Sequence, residues 1–243
     1  MKDTGIKIFK SREILANALA EYLAEQIQRL VLQKDKVFIA LSGGSTPSLL
    51  FKEMLRRKDP IDWTKVGFFW VDERCVPPDH PESNFGTAKT EFLEPMGIPA
   101  SSYLRIRGED EAETEALRYA NLIFETLPSI ENVPVFDIIL LGMGADGHTA
   151  SIFPDQIGLW AAKNITTLGI HPDTGQKRVS FTGKLINAAS QVIFMVSGKE
   201  KAAIVGKIIG RSGSYLRYPA SLVKPDRGEL FWYLDEEAAG ALV

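Results

Sequence analysis

The stretch VFIALSGGSTP, residues 37–47, decides the fold. Residues 37–41 are apolar without alternation, the pattern of a short strand covered on both faces. They run directly into Ser42-Gly43-Gly44-Ser45-Thr46-Pro47, a turn sequence, and apolar residues then recur at helical spacing over 47–57. The same order of strand, polar glycine- or proline-bearing turn and helical stretch returns at 66–71 (VGFFWV), 136–141 (FDIILL) and 192–196 (VIFMV). Further helices are read at 111–127 and 199–209, and one more strand at 230–234. Upstream, Leu15, Leu19, Leu23, Ile27 and Val31, with Ile14, Ala18, Tyr22 and Leu30, form a helical stripe after a cap at Ser11. Strands alternating with helices pair in parallel. The expectation is an α/β fold, a doubly wound, mostly parallel, Rossmann-like sheet with helices on both faces.

At 243 residues the chain fits one α/β domain, expected over 1–243. A chain this long buries roughly 70–75% of its unfolded surface, so it needs no disulfide or metal staple. The formal charge of −3 speaks against nucleic acid or an anionic membrane as the main partner. It also means that an anionic ligand must be met by cations gathered locally. The lone Cys75 allows no intrachain disulfide and suits a reducing compartment. MKDTGIKIFK at the N-terminus lacks the pattern of a signal peptide, and no apolar run approaches the roughly 18 residues of a membrane span. A cytoplasmic protein, monomeric or a small homo-oligomer, is expected.

In doubly wound sheets ligands bind beyond the carboxyl ends of the strands, so the loops there carry the chemistry. In the first, Ser42 to Thr46, the free amides, hydroxyls and helix N-terminus make an anion cradle suited to phosphate, with Thr46 as cap and Pro47 at the first helical position. Its spacing is that of neither a P-loop nor a dinucleotide fingerprint. The second, Asp72-Glu73-Arg74, sets two carboxylates beside an arginine, which either pairs with them or meets a ligand. The third, Gly142-Met143-Gly144-Ala145-Asp146-Gly147-His148, forces a tight turn, read as leading to a helix, that aims Asp146 and His148 into the cleft. Histidine exchanges protons near neutral pH, and a carboxylate two residues away can orient its ring. Arg178, Lys199 and Lys201 offer positive charge near a second helix N-terminus. The three histidines lack ligand spacing, so no metal is expected, and no cofactor.

In this order, LSGGSTP (41–47), VDERCVPPDHPESNFG (71–86), LLGMGADGHTASIFP (140–154), VSGKEKAAIV (196–205), PASLVKP (219–225) and GELFWYLDEEAA (228–239) resemble the family that joins 6-phosphogluconolactonase and glucosamine-6-phosphate deaminase. The resemblance implies a cofactor-free hydrolase of the oxidative pentose phosphate pathway, taking 6-phospho-D-glucono-1,5-lactone to 6-phospho-D-gluconate. It implies His148 as base, and the Gly/Ser loop with Arg74, Arg178 and Lys201 as substrate contacts. The segment before Arg178, HPDTGQK, departs from the proline-rich run common in the lactonase branch. Deaminases of the family carry a glutamate five residues past the histidine, where this chain has Phe153; the lactonase branch is therefore expected. A non-catalytic sugar-phosphate sensor is the competing reading from another class.

Overall fold

A computed structural model describes residues 4–57 and 59–242. Its regular elements are β1 (Thr4–Phe9), α1 (Arg12–Gln33), β2 (Val37–Leu41), α2 (Ser45–Arg56), β3 (Val66–Trp70), β4 (Asp72–Arg74), α3 (Asn84–Ala88) and α4 (Ala112–Thr126). There follow β5 (Ser129–Ile130), β6 (Val133–Pro134), β7 (Ile138–Leu141), β8 (Thr166–Ile170), β9 (Lys177–Phe181), α5 (Gly183–Ala188), β10 (Gln191–Val196), α6 (Ala202–Ile209) and β11 (Glu229–Asp235).

Six strands form one sheet in the order β3-β2-β7-β10-β11-β1, each neighbouring pair parallel. Every residue of β2, β7 and β10 is buried, which is why these strands read as unbroken apolar runs. From β2 the chain moves outward to β3 at one edge. It then returns to β7 on the other side of β2. At this reversal the loops after β2 and β7 leave in opposite directions and open a crevice between them.

α1 begins at Ser11, whose Oγ accepts from the Ile14 amide, and buries Leu15, Leu19, Leu23, Ile27 and Val31. Ile14 lies outside that stripe and stays exposed. α1 packs on α2, and α4 lies with Tyr119 against Phe69 and Phe181. Side chains alternate along β2 and β3, so the two groups of helices take opposite faces. Among the described residues no helix is long and apolar enough to cross a membrane.

Three details differ from the sequence reading. Residues 177–181 are a strand rather than a loop by a helix terminus: β9 pairs antiparallel with β4 and β8 in a second sheet. The Phe181 amide donates to the Val71 carbonyl at 2.8 Å, joining that sheet to the end of β3. The polar start of KRVSF hides a strand, and one of its two partners, β4, lies about a hundred residues away in sequence. The glycine turn leads not to an α-helix but to a β-bridge, Thr149 with Ile152, and 3-10 turns over Pro154–Ala161, interrupted by the non-helical Gln156. Finally, α2 starts at Ser45 with Gly44 as cap at φ 110°, which places Thr46 inside the first turn; Lys199–Lys201 is a 3-10 turn ahead of α6.

β3 is a sheet edge, and its outward backbone needs partners. The buried Tyr119 hydroxyl supplies them at Trp70: it accepts from the amide at 2.8 Å and donates to the carbonyl at 3.1 Å. Tyr119→Phe keeps the ring packing and orphans a buried amide, at about 1–3 kcal/mol. Thermal and urea melts should show a loss of that size; an unchanged midpoint would mean the edge is satisfied another way.

Candidate active site

Four strand ends meet where the sheet order reverses and enclose a cleft of about 220 Å³. Ser42, Gly43, Gly44, Thr46, Arg74, His148, Arg178 and Lys201 all line it. Of the other residues expected at the site, Asp146 stands behind His148, and the side chain of Ser45 lies outside the described residues.

The loop after β2 is held from both sides. Ser42 is buried and its hydroxyl donates to the Leu140 carbonyl at 2.8 Å, tying this loop to β7. Its proton is therefore engaged within the fold. Gly43 lies under Asn84: a Cβ there would stand 1.7 Å from Asn84 Oδ1, so only glycine fits. Gly44 has no side chain to cap α2, and no side-chain cap bond is made. The first amides of a twelve-residue helix thus face the cleft with its partial positive charge. Thr46 Oγ1 lies 3.4 Å from Ser197 Oγ, linking the loop to the end of β10.

The loop after β7 folds tightly on itself. The Gly144 amide donates to the His148 carbonyl at 2.9 Å, and the Gly147 amide to the Gly144 carbonyl at 3.0 Å. A Cβ on Gly144 would meet His148 Nδ1 at 2.2 Å, so the ring folds back over a bare backbone. His148 Nδ1 lies 2.6 Å from Asp146 Oδ1, which also accepts from the His148 amide at 3.1 Å. Burial pushes the Asp146 carboxyl up, but the hydrogen bond and charge of His148 outweigh it, and the net shift is below the ordinary carboxylate value. An ionised carboxylate only accepts. Nδ1 therefore carries the proton, and in the neutral imidazole Nε2 is left with its lone pair.

Opposite this turn stand the cations. Arg74 and Arg178 are directly paired across β4 and β9, an arrangement of like charges that costs stability by itself. Arg74 donates to the Glu82 carbonyl, and its buried Nε has no partner. Among the described residues the Arg178 guanidinium hydrogen-bonds only Gln176 Oε1, at 3.3 and 3.4 Å. Its pKa is pushed down, first by burial and further by Arg74, with Asp72 opposing. Burial likewise lowers Lys201, against Glu200 and Asp235. Among the described residues none of the three cations makes an ion pair.

The carboxylates beside Arg74 are occupied elsewhere. Glu73 accepts from the amides of Arg74, Asn84 and Phe85 and from Ser83 Oγ at 2.8–3.0 Å, anchoring α3; burial nevertheless leaves its carboxyl raised. Asp72 lines the cleft at 6% exposure and accepts from Ser151 Oγ at 2.5 Å. Asp72 and Asn84 line the cleft, although the sequence analysis assigns neither a role in the site. Asp72 reads there as a carboxylate beside Arg74, and Asn84, at the start of α3, carries no local sign of reaching the cleft. Cys75 is half-buried, and burial pushes its thiol up, away from nucleophilic use. Among the described residues no three His, Cys, Asp or Glu side chains gather as a metal site would require.

Fold and cleft together define an α/β protein with a carboxylate–histidine pair facing an unpaired cationic wall. The chain belongs to the glucosamine-6-phosphate isomerase/6-phosphogluconolactonase family, whose sequence profile matches residues 10–232. It is 45% identical over 194 residues to a 6-phosphogluconolactonase of Treponema pallidum, covering 79% of this chain and 80% of that one. To the human 6-phosphogluconolactonase it is 36% identical over 245 residues, covering 98% and 93%. The crystal structure of a devB protein superposes with a TM-score of 0.91 at 40% identity, over 99% of this chain and all of that one.

Facing cations without an ion-pair partner among the described residues are a cost that an anion removes. Arg178→Met should melt no lower than wild type in phosphate-free buffer. Inorganic phosphate should raise the wild-type midpoint by clearly more than that of the variant. Equal phosphate shifts would show that Arg178 does not face the anion.

Proposed function

We propose that the chain hydrolyses 6-phospho-D-glucono-1,5-lactone to 6-phospho-D-gluconate, a step of the oxidative pentose phosphate pathway. The observation that carries this reading is the Asp146–His148 pair at 2.6 Å inside a cleft walled by Arg74, Arg178 and Lys201. The relatives' name of 6-phosphogluconolactonase agrees with it.

The α2 amides, with Arg178 and Lys201, hold the 6-phosphate. C1 of the lactone then lies toward the glycine turn. His148 Nε2 takes a proton from a water as the water oxygen attacks the C1 carbonyl. Asp146 holds the ring in the required tautomer and steadies the imidazolium that forms. Arg74, with an unpartnered Nε, stabilises the oxyanion, an effect worth several kcal/mol in a preorganised site. When the carbonyl re-forms, the bond from C1 to the ring oxygen breaks, and His148 returns the proton to that oxygen. Water is the only co-reactant, and no cofactor or metal enters. One domain over 1–243 carries the site, in a cytoplasmic monomer or small homo-oligomer with a small sugar phosphate as its partner and no nucleic acid or membrane.

Aminosugar isomerisation needs an additional acid/base, and the position where the resemblance places it holds the apolar, buried Phe153. A non-catalytic sensor has no use for a histidine held as a base.

Purified protein should hydrolyse the phosphorylated lactone well above its spontaneous rate, and should keep doing so after chelation. Ammonia release from glucosamine 6-phosphate without lactone hydrolysis would overturn the branch. His148→Ala should lower kcat by roughly 10²–10⁴ with little change in KM; a variant with near-wild-type kcat would remove the histidine from the mechanism.

Lys201→Ala removes a charged hydrogen bond worth about 1.5–3 kcal/mol, or about 10- to 150-fold in kcat/KM. The loss should fall mostly on KM for the phosphorylated lactone and spare unphosphorylated gluconolactone. Equal losses on both would place the phosphate elsewhere.

A further inference from the structure

Phe153 is 1% exposed, apolar, and outside every step above, yet it touches both halves of the site. The His148 ring packs on it with centroids 4.7 Å apart at 47°. The Arg178 guanidinium carbon lies 5.8 Å from the same ring centroid. On a further side the His171 ring meets it edge-on at 5.3 Å and 69°. His171 belongs to the turn between β8 and β9: its Nδ1 accepts from the amides of Asp173 and Thr174 at 3.2 and 3.4 Å. One ring thus joins the turn that carries the base to the hairpin that carries the cation.

The hydrogen bonds of the site leave that task open. The bond to Asp146 holds one edge of the His148 imidazole, and a single such contact leaves the ring free to swing about it. The Asp146 side chain is 44% exposed, and among the described residues the one other residue it bonds is His148. Among the described residues the Arg178 guanidinium makes only long hydrogen bonds, to Gln176, which in turn donates to the surface residue Glu82. No hydrogen bond runs between His148 and Arg178. A rigid apolar ring with no proton to exchange can act here only through packing, and it packs on both.

We propose that Phe153 is a positioning residue: it sets the plane of the His148 imidazole and the reach of Arg178 in one frame, so that phosphate held at Arg178 brings C1 to Nε2. The proposal rests on the lactonase reading of the site for its rate consequences, and on geometry alone for its effect on the imidazole.

Phe153→Leu keeps an apolar side chain of similar bulk and removes the ring. A misplacement of the order of 1 Å costs up to about 100-fold in rate, so kcat should fall about 10- to 100-fold. Loss of the cation–ring contact should raise KM for the phosphorylated lactone by about 2- to 5-fold. In a His148→Ala background the same change should leave kcat within about 3-fold, because a residue acting through the base has nothing left to position. Phe153→Met, which fills irregular space without a ring, should repeat the pattern and carries the test if the leucine variant folds poorly. Imidazole ¹⁵N spectra give a readout free of activity: one Nδ1-protonated tautomer for His148 in wild type, and mixed or averaged tautomers in the variants. Equal kcat losses in the presence and absence of His148, or an unchanged His148 tautomer, would reduce Phe153 to a core side chain. Absence of lactone hydrolysis by the wild-type chain would overturn the functional reading instead, and the spectra would still decide this one.

Discussion

Asp72, Ser151 and Ser180 form a buried hydrogen-bonded set on which the geometry of the cleft depends. Ser151 Oγ donates to Asp72 Oδ2 at 2.5 Å, and the Ser151 amide donates to Ser180 Oγ at 3.0 Å. Ser180 is in turn the strand partner of Asp72. Three separate pieces of chain are bound by these contacts: the end of the glycine turn, the start of β4, and β9. A carboxylate so far from solvent has to be satisfied, or it destabilises the fold by several kcal/mol. That requirement keeps the pieces together, and His148, Arg74 and Arg178 each sit within three residues of a member of the set. Gly169 completes the junction, since a Cβ there would meet the Ser151 carbonyl at 2.0 Å.

The same junction creates the electrostatic tension of the site. Antiparallel pairing of β4 with β9 puts Arg74 opposite Arg178, and the nearest acidic neighbours are turned to other work. Glu73 anchors α3, and Asp72 binds Ser151. A chain with a surplus of acidic residues has thus kept them from neutralising three clustered cations. Folding holds this arrangement at a cost, in the manner of sites whose local rules are broken for a ligand. The helix N-terminus of α2 adds to the positive field with fixed dipoles and no counter-charge of its own.

How much of this can be read from sequence follows the distance between the residues involved. The cradle at 42–46 and the Asp146–His148 turn are each contained within one short segment, so turn chemistry and residue type reveal them. Five strands of the parallel sheet are equally legible, because they are largely apolar runs between or after helices; the edge strand β1, TGIKIF, is not, since it mixes polar with apolar residues and leaves Ile6 and Ile8 exposed. Arg178 is a different case. Its residue type was visible, but its position depends on pairing with β4 more than a hundred residues earlier, and KRVSF gives no local sign of it. Asp72 needed the knowledge that Ser151 would reach it. Phe153 was legible as a missing glutamate, yet its contacts with His148, His171 and Arg178 exist only once three loops have met.

That division between local and assembled parts has a consequence for how the site fails. The Asp146–His148 pair lies two residues apart on a turn closed by its own backbone bonds. It keeps its geometry as long as that turn survives. The cationic wall is drawn from positions 74, 178 and 201 and exists only while two sheets stay in register. The second sheet is small, its β4 is three residues long, and short edge elements open more readily than a buried parallel sheet. Perturbation at β4 or β9 therefore loosens the cationic wall before it reaches the Asp146–His148 turn. Phe153 is where the two parts touch: through it a shift of the hairpin reaches the imidazole, and through it an anion that steadies Arg178 also steadies His148.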